Sequence, residues 1–137
     1  MRRLGDPLTI SLLAGLCLLV LSACEFNRDE PQVLPQQFIG ADTTLYAHDL
    51  VEVNATILRP RPGALLAYAD CVASQFGKQR GQLYARRVKA IQDPQFMADA
   101  ASMKVMYLLS HVRPEGKFVL TSEQVLTKCE KNGIPTV

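Results

Sequence analysis

Residues 50–77 read LVEVNATILRPRPGALLAYADCVASQFG, and this stretch decides the fold. Leu50 to Leu58 carries Val51, Val53, Ala55 and Ile57 on alternate positions, the period of a strand with one buried face. Arg59-Pro60-Arg61-Pro62-Gly63 ends that run, because proline removes amide donors and glycine punctuates the chain. From Pro62 or Gly63 the period changes. Leu65, Leu66, Ala69, Val72, Ala73 and Phe76 recur at helical spacing until Gly77, which predicts a helix packed on the strand before it.

Downstream, Tyr84 to Ile91 is rich in β-formers and basic residues and reads as a second strand. Strict alternation would put Tyr84, Arg86 and Val88 on one face and Ala85, Arg87, Lys89 and Ile91 on the other. Asp93-Pro94 signals a short helix over Gln95 to Ala101, since Asp can cap and Pro suits the first turn. Met103 to His111 reads as a buried strand, and Pro114-Glu115-Gly116 as a turn. Thr121-Ser122-Glu123-Gln124 fits a capping box at the head of a last helix that Gly133 would stop.

This order predicts a small α+β domain: an antiparallel sheet of about three strands with two helices on one face. An all-α alternative, with Gln82 to Val112 as two helices, stays open at this point. Upstream, Glu25 to Thr44 holds Pro31, Pro35, three Gln and several acids with no sustained apolar period, so it reads as a flexible tether.

The first 23 residues have the grammar of a secretory signal: Arg2 and Arg3, then the uncharged run Leu8 to Leu21, then small residues. Leu21-Ser22-Ala23-Cys24 resembles the lipobox of bacterial lipoproteins at all four positions. The resemblance implies that Cys24 takes a thioether-linked diacylglycerol and becomes the N-terminus of the mature chain. By the family's sorting rule, Glu25 in place of Asp favours the outer membrane over the inner, with the domain facing the periplasm. The expected organisation is therefore residues 1–23 signal peptide, 24–44 lipidated tether, and 45–137 periplasmic domain.

That resemblance also settles the cysteine count. Of four cysteines, Cys17 leaves with the signal peptide and Cys24 is alkylated, so Cys71 and Cys129 remain to pair in an oxidising compartment. The disulfide would staple the first helix to the last.

Charge is balanced overall but unevenly spread. From Glu25 to Glu52 there are six acids and one base; from Arg59 to Lys89 there are seven bases and one acid. Lys78, Arg80, Arg86, Arg87 and Lys89 are the candidate binding residues, able to attract an acidic protein surface or the phosphates of an anionic lipid or glycan. Nucleic acid is not expected on the far side of the membrane from the genome. No nucleophile elbow, His-Glu-x-x-His or phosphate loop occurs, and His48 and His111 read as surface or half-buried histidines rather than catalysts. No cofactor, metal or catalytic residue is expected. The sequence thus describes a lipid-anchored envelope protein with a non-enzymatic interaction module, or alternatively a module for anionic lipid or glycan.

Overall fold

The β-period of Leu50–Leu58 and the helical period after Gly63 both hold in the computed structural model, which describes residues 32–93 and 99–136. The signal peptide, Cys24 and the tether as far as Pro31 lie outside the described residues, as do residues 95–98 of the expected short helix. The folded elements belong to the unit Leu34–Val137. Its elements are β1 (Gln37–Leu45), β2 (Leu50–Leu58), α1 (Ala64–Gln79), β3 (Tyr84–Gln92), β4 (Ala100–Ser110), β5 (Val119–Thr121) and α2 (Ser122–Lys131). The five strands form one antiparallel sheet in the order β1-β2-β4-β3-β5. The fold is α+β, with the helices on one face, and the all-α alternative is discarded because Gln82–Val112 contains β3 and β4.

The core is built from two periods that meet. Val51, Val53, Ala55 and Ile57 of β2 and Ala101, Val105, Tyr107 and Leu109 of β4 point toward the helices and are buried. Leu65, Tyr68, Ala69, Val72 and Ala73 form the apolar stripe of α1 that covers them, at the spacing one helix face requires. Small residues at Ala69 and Ala73 let the helix lie close to the β-branched side chains below. The opposite face of the sheet carries no helix among the described residues.

Three expectations change. Residues 37–44, expected in the tether, form most of β1, paired with β2 from Gln37↔Leu58 to Leu45↔Val51. The alternation was hidden by a register shift between Phe38 and Gly40, where Ile39 is extra and stands 56% exposed. Phe38 nevertheless faces inward and meets the Tyr68 ring edge-on at 4.9 Å between centroids. The helix expected through Ala101 cannot reach that far, because β4 begins at Ala100 and Arg59 N–H already bonds the carbonyl of Asp99. The sheet has five strands rather than three, since β5 is only three residues long and β1 is masked by its irregular step.

Thr121 is the N-cap of α2, as the capping-box pattern implies, but its hydroxyl makes no capping bond. Its residue is also the last of β5, so the backbone is fixed by pairing with Tyr84 instead. At the other end Gly133, at φ +64°, closes the helix: its N–H bonds Glu130 O at 3.1 Å and Ile134 N–H bonds Cys129 O at 2.9 Å. Ile134 then packs against the core. Gly133→Ala is expected to cost about 1 kcal/mol through the left-handed backbone alone. Urea unfolding would measure it, and an unchanged midpoint would refute this role.

Candidate functional site

The five basic residues singled out by sequence do not converge. Lys78 and Arg80 lie at the C-terminal end of α1, where Arg80 stacks over Phe76 at 5.5 Å from the ring centroid. Arg87 points the other way, into the helix-facing layer. Its Nε and Nη2 donate to the two carboxylate oxygens of Asp70 on α1, at 3.0 and 3.2 Å, and Tyr107 OH on β4 donates to Asp70 Oδ1 at 2.8 Å. The guanidinium also lies 5.6 Å from the centroid of Phe118. The Arg87 charge is thus engaged within the domain, by the Asp70 carboxylate.

Burial is the largest influence on Asp70 and raises its pKa above the ordinary carboxylate value, against the lowering effects of Tyr107 and Arg87. The Tyr107 phenol is held well above its usual value, first by burial and then by the negative charge it bonds. The group is thus a buried clamp across α1, β3 and β4, with each donor committed to the same carboxylate. Beside it, a cleft of about 330 Å³ is lined by Asp70, Arg87, Val125, Lys128 and the disulfide between Cys71 and Cys129. The disulfide joins α1 to α2 with Cα atoms 6.0 Å apart, the pairing expected from sequence.

Arg86 and Lys89 share the open face of the sheet. A register shift between Arg87 and Lys89 leaves Val88 extra and 51% exposed, so Lys89 pairs with Met106 and Ile91 with Lys104. This corrects the simple alternation, which put Lys89 and Ile91 on the side of Arg87. Arg86 is half-buried and its guanidinium lies against Gly116 of the loop after β4, where an added Cβ would come within 3.2 Å of Nη1. Lys89 is exposed, and Lys104 on β4 joins it, a residue that sequence reasoning missed. The signal was present: Lys104 stands out of phase with Met103, Val105 and Tyr107, which a half-buried strand permits only on its open side.

The other half of that face carries the opposite sign. Asp42 of β1 pairs with Asn54, and Glu52 of β2 pairs with Met106, so both acids belong to the face of Lys89 and Lys104. Between them lie Leu50, Leu58, Met106 and Leu108, all half-buried. Among the described residues the only ion pair is that of Arg87 with Asp70, so these four open-face charges have no such partner there. His48 and His111 are exposed at one end of the sheet. Among the described residues no three His, Cys, Asp or Glu side chains gather as for a metal ion, and no helix is long and apolar enough to cross a membrane.

A family described as YNQ4 C-terminal domain matches residues 38–133. The chain is also similar to an uncharacterized 26.9 kDa protein in the nqo8 5′ region of Paracoccus denitrificans, 32% identical over 113 residues, covering 74% of this chain and 42% of that protein. The chain thus spans less than half the length of that relative. No solved structure matches. The family match runs from inside β1 to the glycine that closes α2, and so takes in the sheet, the clamp, the disulfide and the open face; the chain belongs to the YNQ4 C-terminal domain family.

Proposed function

We propose that this protein is a lipid-anchored component of the bacterial envelope, facing the periplasm, whose domain acts by binding another envelope component rather than by catalysis. The observation that carries the anchor is Leu21-Ser22-Ala23-Cys24 at the end of an uncharged run that follows Arg2 and Arg3. The Cys71–Cys129 disulfide supports the compartment, because such bonds persist where thiols are oxidised. Glu25 after the lipidated cysteine favours the outer membrane.

The contact surface in this reading is the open face of the sheet. Asp42, Glu52, Lys89 and Lys104 have no ion-pair partner among the described residues, whereas the Asp70 clamp of the interior has its donors and acceptor matched to one another. An anionic lipid or glycan fits this face less well, since Asp42 and Glu52 would repel it across half the surface.

Metabolic labelling tests the anchor. Cells given labelled palmitate should incorporate it into the wild-type chain, and Cys24→Ala should abolish the label and release the protein from the membrane fraction. Label retained by Cys24→Ala would defeat the proposal.

A further inference from the structure

We infer that the partner of the open sheet face is a second copy of this chain, docked face to face about a two-fold axis parallel to the strands. The inference deepens the binding reading above and takes its membrane argument from it; its charge argument stands apart.

The face is divided down the middle. β1 and β2 contribute Asp42 and Glu52 and no base, while β4 and β3 contribute Lys104 and Lys89, with Arg86, and no acid. Leu50, Met106 and Leu108 occupy the middle of the face between the two halves. A surface with acid on one side, base on the other and apolar residues between is complementary to itself, which is what a two-fold interface requires.

Geometry then selects the axis. Were it to run across the strands, each strand would lie over its own copy, and Asp42 and Glu52 would meet the same acids of the second chain. With the axis along the strands, β1 and β2 lie over β3 and β4 of the second copy, and every acid faces a lysine half. Two aligned sheets packed about 10 Å apart are an ordinary arrangement. Of the two axes, this one also brings both chains into β1 from the same end, so that two copies anchored in one membrane reach it by the same short path.

The area is sufficient. Four strands of at least nine residues, spaced about 4.8 Å apart and rising about 3.3 Å per residue, present roughly 600 Å². Two such faces bury about 1,200 Å², the lower bound of stable interfaces.

Edge-to-edge pairing is the competing way for two sheets to meet, and both sides are blunted against it. β1 carries the extra residue Ile39; on the other side β5 is three residues long and covers β3 only from Tyr84 to Arg86, and the extra residue Val88 breaks the even ladder in the rest of β3 that an added strand would need.

The test uses the full lipidated chain purified in detergent from cells that co-express two differently tagged copies. One tag should capture the other, and the yield should fall at 1 M salt, where screening acts within about 3 Å. Asp42→Lys with Glu52→Lys makes the face uniformly basic; Lys89→Glu with Lys104→Glu makes it acidic save for Arg86, half-buried against Gly116. Each double variant should capture itself at least tenfold less than wild type does. Co-expressing the two should restore capture to the wild-type level or above, because complementary charge then spans the whole interface. Melting curves establish that the variants fold, and if one does not, wild-type capture and its salt dependence decide. Absent wild-type capture, or a mixed pair no better than its members, overturns the inference. A palmitate-labelled chain that stays monomeric would refute the dimer and leave the anchor standing; a dimer without palmitate would do the reverse.

Discussion

Replacing both Cys71 and Cys129 by alanine is expected to lower the unfolding free energy by about 4 kcal/mol and the melting temperature by roughly 20 °C. The cross-link spans 58 positions, so it removes much of the freedom of the unfolded chain. A domain of this size has only about 5–15 kcal/mol to lose. What the bond secures is α2, ten residues with four charged side chains among them, too short to persist as an isolated helix. It packs mainly on α1 and β5, with Ile134 as the apolar closure. The loss should therefore concentrate there, with amides from Val125 to Lys131 exchanging fastest in the variant. Equilibrium urea unfolding read by circular dichroism gives the first quantity and hydrogen exchange the second; a loss under 1 kcal/mol would show that helix packing alone holds α2.

Arg87→Met should destabilise the domain by about 3 kcal/mol at neutral pH, because it strands a mostly buried carboxylate with Tyr107 as its remaining donor. The effect depends on pH in a defined direction. Burial already raises the Asp70 pKa in the folded protein, and removing the cation that opposes this raises it further. A raised carboxyl binds its proton more readily folded than unfolded, so the variant is most stable below the unfolded carboxyl value near 3.8 and loses stability as pH climbs through the folded value. The gap to wild type should thus be small near pH 4 and widen toward pH 8. Adding Asp70→Leu and Tyr107→Phe to Arg87→Met should recover most of the loss, since an apolar trio leaves no group unmatched. Urea midpoints across that range provide the measurement, and a gap that is flat in pH would show that Asp70 does not feel Arg87.

These two effects show how far the sequence could be read. The disulfide and the helix carrying Cys71 were visible because they rest on counting and on an unbroken period. β2 and β4 were visible for the same reason: one face is buried end to end, so apolar residues fall at every second position. β1 was not, because Ile39 puts its inward residues out of step and its outward ones are Thr and Asp. β5 is too short to show any period.

The binding residues were legible as a cluster in the chain but not as a surface. Arg86 and Arg87 are neighbours in sequence and lie on opposite sides of the sheet, one beside a solvent-facing loop and one tied to α1. Lys104 and the two acids that complete the open face lie on other strands, and pairing them required the register. The clamp was invisible for a similar reason: Asp70, Arg87 and Tyr107 are separated by 17 and 37 positions from the first to each of the others.

The two extra residues also bear on how the domain can change in length. At Ile39 and at Val88 the ladder is in register on both sides of one surplus residue, and that residue points into solvent. Deleting either would leave its neighbours opposite the partners they already have, with no charge or core side chain changing sides. Strands are ordinarily the part of a protein least able to lose a residue; here each of two strands has one position at which a deletion can be absorbed.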